Sequence, residues 1–123
     1  MKFKKWSIWR ANLDPVICSE QGKSRPVLII SEDDINSLMN IVNIIPITSR
    51  KSERIVYPNE ALLPEGKFGL EKESLALCHQ IRSIDKRRLS KYITSCEVFE
   101  IILAQSLCRS IFLCRSGTLP LAG

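Results

Sequence analysis

Residues 19–31, SEQGKSRPVLIIS, place several chemically active side chains in a short loop directly before an apolar run. The loop carries a carboxylate, an amide, a lysine, two hydroxyls and an arginine, from Ser19, Glu20, Gln21, Lys23, Ser24 and Arg25. Pro26 fixes its own φ angle and biases Arg25 toward an extended conformation, so the guanidinium projects from a rigid strand entrance. A planar, permanently charged guanidinium suits phosphate. The segment therefore predicts an anion-binding site at Arg25, the alternative being a solvated turn with ordinary surface charges.

The run Gly22-Lys23-Ser24 is similar to the end of a nucleotide-binding P-loop. A P-loop needs a second glycine five residues earlier, where this chain has Ile17, and it opens a helix. Here the loop opens a β-branched run that is typical of a strand. We therefore do not expect a nucleotide site.

Composition narrows the class of protein. The chain has 123 residues, a hydrophobic fraction of 45% and a formal charge of +5, which favour one globular domain with an anionic partner. Apolar runs fall well short of the roughly 20 residues of a membrane-spanning helix. The N-terminus lacks a signal-peptide core, so we expect a cytoplasmic protein. The five cysteines include no CxxC pair, which argues against a zinc site and a disulfide framework, and we expect no metal and no cofactor.

The elements follow from apolar and β-branched runs. Strands are expected at residues 8–13, 25–31, 41–49, 55–57, 74–78 and 80–84, with Pro46 suggesting an edge or bulge in the third. A polar, helical connection follows Ser31 as its N-cap, and a turn or 3₁₀ segment spans residues 85–89.

The C-terminal segment has a helical pattern and not a strand pattern. Thr94 and Glu97 match a capping box, which predicts an amphipathic helix to about residue 114. Short strands followed by one helix predict a mainly β fold, a small antiparallel barrel with a C-terminal α-helix. The domain is expected to span residues 1–115, with a poorly ordered tail over residues 116–123.

Three segments, in this order and spacing, resemble the MazF/PemK family of toxin endoribonucleases: residues 13–31, residues 45–48 (IPIT) and residues 69–89, which end in QIRSIDKRRL. The resemblance implies an SH3-like barrel and a homodimer. It also implies sequence-selective, metal-independent cleavage of single-stranded RNA, including mRNA, by attack of the 2′-hydroxyl. The products would carry 2′,3′-cyclic phosphate and 5′-hydroxyl ends, and a cognate antitoxin would neutralise the toxin.

The resemblance also assigns roles to residues. Arg25 and Thr48 match the family's catalytic positions, Glu20 its acidic residue and candidate base, and Gln80 and Arg82 its RNA groove. The further predicted RNA contacts are Ser19, Gln21, Lys23, Ser49, Lys86 and Arg87. Two departures from the family pattern, Trp6-Ser7 in place of Gly-Asp and Cys18 in place of glycine, bear on loop geometry and cleavage rate.

Two other functions stay open at this point. One is a barrel toxin of the CcdB type, which binds a protein target such as gyrase without hydrolysis. The other is a catalytically inactive RNA-binding relic, which the departures at Trp6-Ser7 and Cys18 permit. Arg25 and Thr48 in their family context favour the ribonuclease, because a gyrase binder would place its determinants at the end of the C-terminal helix.

Overall fold

A computed structural model describes residues 3–13, 23–51, 55–66 and 68–95 of the chain. Within these residues the chain forms seven strands: β1 (Ser7–Asn12), β2 (Ser24–Ile29), β3 (Ile41–Ser49), β4 (Glu60–Leu63), β5 (Ser74–Leu77), β6 (Arg82–Asp85) and β7 (Leu89–Ser95). One α-helix, α1 (Asp33–Leu38), joins β2 to β3, and 3₁₀ turns lie at Cys78–Gln80 and Lys86–Arg88. The predicted mainly β class is confirmed.

β3 is the central strand of an antiparallel sheet. It pairs with β2 on one side and with both β6 and β5 on the other, and the strand order is β4-β5-β3-β2-β1-β7 with β6 beside β3. The pairing does not close into a ring within the described residues. The predicted C-terminal helix and the tail fall on residues 96–123, which lie outside the described residues.

Apolar side chains cover both faces of the sheet. On β3, Ile45 and Ile47 join one core cluster, while Val42 and Ile44 join the other. Because neighbouring residues of a strand point to opposite faces, a strand buried on both faces must be apolar at consecutive positions. β2 meets this condition, since Val27, Leu28 and Ile29 are all fully buried. The predicted burial of this strand on both faces is confirmed.

One predicted strand is absent, and two observed strands were not predicted. Residues 55–57 form no strand, because Glu60 N–H donates to Tyr57 O at 3.0 Å and turns the chain there. The strand in this region is β4, whose sequence EALL is stabilised by pairing with β5. β7 was not predicted, because most of its residues are exposed and its sequence lacks a clear apolar alternation. Thr94, the predicted helix cap, lies in β7, and the rest of that capping box is outside the described residues.

Pro46 and Ser31 also differ from expectation. Pro46 lies in the central strand rather than at an edge, at the point where β3 passes from its pairing with β6 to its pairing with β5. The missing N–H is tolerated there because neither β5 nor β6 pairs with Pro46 on the side of β3 away from β2. Ser31 is not the N-cap of α1, which is Glu32. The Ser31 hydroxyl instead donates to the side-chain oxygen of buried Asn36.

Candidate active site

The register of β2 and β3 brings Arg25 and Thr48 together. Val27 lies opposite Pro46, so Arg25, two residues earlier, faces Thr48, two residues later. Arg25 Nη1 donates to Thr48 Oγ1 at 3.3 Å, and both residues are half-buried. Two predicted catalytic residues that are 23 positions apart in sequence are thus in direct contact.

A cleft of about 370 Å³ surrounds this pair. It opens at the end of the sheet where β2 begins, β3 ends and β5 begins. Its lining includes the apolar residues Ile47, Leu70 and Ile93 and the hydroxyl-bearing residues Ser24, Ser49 and Ser74. The described lining residues include three cations, Arg10, Arg25 and Lys72, and one carboxylate, Glu71. The cleft is therefore suited to an anionic ligand.

Gly69 shapes one wall of the cleft. Its φ of +68° lies in the left-handed region, and a Cβ at this position would lie 2.5 Å from Ile93 Cγ2 on β7. Only glycine allows the backbone to pass this close to the strand without strain. The residue type at position 69 thus sets the distance between the loop and β7.

A salt bridge joins the ends of two strands beside the cleft. Arg50, directly after β3, donates from Nη1 to Glu73 Oε1 at 3.0 Å, and its backbone N–H donates to Glu73 O at 2.9 Å. These two bonds hold the end of β3 against the start of β5. They therefore fix the position of Thr48 relative to β5.

The predicted loop residues Ser19, Glu20 and Gln21 fall on residues 14–22, outside the described residues. The two ends that flank this segment are held together, because Leu13 N–H donates to Lys23 O at 2.8 Å. Lys23 is exposed directly before β2, and Ser49 lines the cleft.

Gln80 and Arg82 lie on the opposite side of β3 from β2. Gln80 ends a 3₁₀ turn and is half-buried. Arg82 pairs with Ile44, and strand alternation places its side chain on the same sheet face as Thr48. Arg82 Nη1 is buried, and it has no hydrogen-bond partner within the residues that the structure describes.

Lys86 and Arg87 lie away from the cleft, and their side chains bond to other groups of the protein. Lys86 Nζ donates to Asn36 O at 2.7 Å. Arg87 forms two side-chain hydrogen bonds with Asp85, both at 3.0 Å. The hydrogen bonds from Arg87 lower the pKa of Asp85 to about 2, and the same pairing raises the pKa of Arg87. The structure does not bring these two predicted RNA contacts to Arg25 and Thr48.

Sequence reasoning missed Arg10, Lys72 and Glu71 in the cleft. The signal for Arg10 was available, because it is a charged residue between the apolar residues Trp9 and Ala11 of a strand. Its location beside the cleft depends on the pairing of β1 with β2, which sequence alone does not give. Lys72 and Glu71 fall in a polar loop with no comparable signal.

Metal and thiol chemistry have little support among the described residues. Within the described ranges, the acidic, cysteine and histidine side chains form no group of three or more that could hold a metal ion. Burial raises the pKa of the Cys78 thiol to about 12, which makes it a poor nucleophile. No helix among the described residues is long and apolar enough to cross a membrane.

Comparison with known proteins decides the family. Residues 4–106 match the PemK-like, MazF-like toxins of type II toxin-antitoxin systems. The chain belongs to this family. The PemK-like, MazF-like assignment confirms the resemblance seen in the three sequence segments, and it covers the strands that form the cleft.

Individual relatives agree with the assignment. The endoribonuclease EndoA of Bacillus subtilis is 35% identical over 94 residues, which cover 76% of this chain and 80% of EndoA. The crystal structure of MazF from Deinococcus radiodurans aligns with a TM-score of 0.73 at 26% identity, over 90% of this chain and 94% of that one. A MazE-MazF structure from the same organism aligns with a TM-score of 0.67 at 22% identity, over 90% and 93%, and shows the shared fold.

Proposed function

We propose that this chain is the toxin of a type II toxin-antitoxin pair and an endoribonuclease that cleaves single-stranded RNA sequence-selectively. The observation that carries the proposal is the hydrogen bond from Arg25 to Thr48 inside a cleft with excess positive charge. Family membership and the 35% identity to an endoribonuclease support it. An RNA phosphate is the anion that such a cleft would bind.

The reaction needs few protein groups because the substrate carries its own nucleophile. The 2′-hydroxyl oxygen attacks the adjacent phosphorus, a base takes the hydroxyl proton, and the bond from phosphorus to the 5′-oxygen breaks. The leaving 5′-oxygen takes a proton, which gives a 2′,3′-cyclic phosphate and a 5′-hydroxyl. Negative charge builds on the phosphoryl oxygens, so fixed donors aimed at them give the largest rate gain.

Arg25 supplies this stabilisation. Its guanidinium is always charged and can donate two parallel hydrogen bonds to phosphate oxygens. An arginine side chain holds its proton firmly and is a poor proton donor at neutral pH. Arg25 therefore stabilises charge, and the proton transfers belong to other groups. Glu20 is the proposed base.

Thr48 orients Arg25 and contacts the substrate. A threonine hydroxyl can accept one hydrogen bond and donate another. Because Thr48 Oγ1 accepts from Arg25 Nη1, its own proton is available for a phosphoryl oxygen or the 2′-oxygen. Two donors would then converge on one phosphate.

The RNA strand extends beyond this pair. We place Ser19, Gln21, Lys23 and Ser49 around the cleft, and Gln80 and Arg82 along the same face of the sheet. Arg82 lies opposite Ile44 and so shares a sheet face with Thr48, which supports this path.

Partners follow from the family. The aligned Deinococcus radiodurans structure is a MazE-MazF assembly, and we propose that a cognate antitoxin likewise neutralises this chain. We further propose that the toxin acts as a homodimer in the cytoplasm. Sedimentation at increasing protein concentration measures the dimer directly, and monomers at every concentration would contradict it.

Replacement of Arg25 tests the proposal. Arg25→Ala is expected to lower the rate of RNA cleavage about 10²–10³-fold, the usual cost of removing a donor to developing charge. Arg25→Lys keeps the charge but not the planar fork and should recover only part of the rate. Lys4→Ala removes one exposed positive charge outside the cleft and should cleave at the normal rate. An Arg25→Ala protein as active as Lys4→Ala would contradict the proposal.

A further inference from the structure

Arg10 is a cation in the cleft whose side chain makes only weak contacts with the rest of the protein. Its neighbours Ile8, Trp9 and Ala11 are buried, whereas its own side chain is exposed. Arg10 Nη1 donates to Ser24 O at 3.4 Å and to Ser24 Oγ at 3.5 Å, both long for hydrogen bonds. The ion pairs within the described part of the chain do not include it. A guanidinium has five N–H donors, so most of its capacity remains for a ligand.

The register of β1 and β2 sets Arg10 beside the catalytic pair. Arg10 lies opposite Pro26, and Ala11 lies opposite Arg25. Opposed residues share a face, so Arg25 shares the face of Ala11 and Arg10 points to the other face. Both arginines nevertheless line the same cleft at the end of the sheet.

Two arginines on opposite faces cannot readily hold the same phosphate. Arg25 is further directed to its own face by its bond to Thr48. Arg10 points toward Ser24, whose hydroxyl also lines the cleft. The single carboxylate among the described lining residues, Glu71, leaves this rim with positive charge in excess.

We infer that Arg10 binds a second phosphate of the same RNA strand, one that is not cleaved. The inference rests on the proposed ribonuclease function and extends its site across β2. Arg10 acts as a binding residue: it holds the strand before and during the reaction. Its removal is therefore expected to raise KM while kcat stays near its normal value.

Binding measurements test the inference with a matched control. The probe is a single-stranded RNA that spans the mapped cut site and carries a 2′-O-methyl group there, which removes the nucleophile. Arg10→Ala should weaken binding about tenfold and reduce the slope of log affinity against log salt by about 0.7, the value for one phosphate contact on a single strand. Arg10→Lys should keep the slope and lose part of the affinity.

Lys91→Ala is the control. Lys91 lies opposite Arg10 on β7 and is exposed, but it does not line the cleft. Equal effects of Lys91→Ala and Arg10→Ala would show a diffuse field of positive charge and overturn the inference. The Arg10→Ala protein is expected to fold normally, since the side chain is exposed, and its unfolding midpoint checks this.

A scan of neutral methylphosphonates along the probe locates the contact. One position other than the cut site should weaken binding to the normal protein and have no further effect on Arg10→Ala, as a double-mutant cycle requires. A scan without such a position would overturn the inference while RNA cleavage by the normal protein still upholds the proposed function. A normal protein that neither binds nor cleaves RNA would instead overturn the proposed function itself.

Discussion

The hydroxyl of Thr48 is the smallest group on which the proposed chemistry depends. Thr48→Val keeps the shape of the side chain and removes the acceptor that orients Arg25. Because a hydrogen bond to a charged group contributes about 1.5–3 kcal/mol, we expect single-turnover cleavage to slow about 10–100-fold. Thr48→Ser retains the hydroxyl and should stay close to the normal rate. Normal cleavage by Thr48→Val would show that Arg25 needs no such partner.

The Cys78 thiol gives a prediction for stability against pH. Burial, with a smaller contribution from the carboxylate of Glu60, raises the pKa of Cys78 from 9.0 to about 12. The folded protein therefore keeps the proton at pH values where the unfolded chain has lost it. This contribution to stability is complete below pH 9.0 and declines as the pH rises from 9.0 toward 12.

Urea unfolding of the normal protein and of Cys78→Ala measures this contribution. Other groups titrate in the same range, but they do so equally in both proteins. As the pH rises above 9.0, the unfolding free energy of the normal protein should fall relative to that of Cys78→Ala. A difference that is constant across this range would show that Cys78 is accessible to water.

Local sequence features and the family resemblance together pointed to part of the candidate site. Arg25 was predicted because the following Pro26 and the family segment both mark it, and Thr48 because it ends the IPIT segment. Arg10 was not predicted, since its importance depends on which strand lies beside β1. Residue type is thus informative where a local constraint fixes the side chain, and less so where a distant strand supplies the neighbour.

At the scale of elements, the loop at Gly69 offers the sharpest test of packing. Gly69→Ala should destabilise the protein by about 2–4 kcal/mol, because it combines backbone strain with overlap against Ile93. Gly66→Ala is a matched control, with a φ of +79° and no atom within 4 Å of the added Cβ. It should cost only about 1 kcal/mol, the backbone strain.

Urea unfolding of the two variants separates strain from overlap. Combining Gly69→Ala with Ile93→Ala should restore part of the loss, because the side chain that overlaps the new methyl is then shorter. Equal destabilisation by Gly69→Ala and Gly66→Ala would contradict the close approach of the loop to β7.

Strands were predictable where burial on both faces forces a continuous apolar run. The runs at residues 25–31 and 41–49 led directly to β2 and β3. β4 escaped prediction because its residues EALL have no strong strand preference, and β7 because it lacks a clear apolar alternation; they form strands through their partners β5 and β1. Tertiary pairing decides the structure of such segments.

At the scale of the molecule, the central strand β3 organises both the core and the site. It contacts three strands, and its end, with the start of β2, carries Arg25 and Thr48, the proposed catalytic pair. The sequence supports the fold class and the family, because three segments retain their order and spacing. The cationic cleft follows only from the three-dimensional arrangement of strand ends. The homodimer stays a prediction.

The central claim is that this cleft cleaves RNA through Arg25 without a metal ion. The most direct measurement is to incubate the purified protein with a long single-stranded RNA in excess chelator, beside Arg25→Ala, and to determine the ends of the fragments. We predict discrete cuts with 2′,3′-cyclic phosphate and 5′-hydroxyl ends, absent from the variant. Cleavage that stops in chelator, or that Arg25→Ala carries out equally well, would contradict the account.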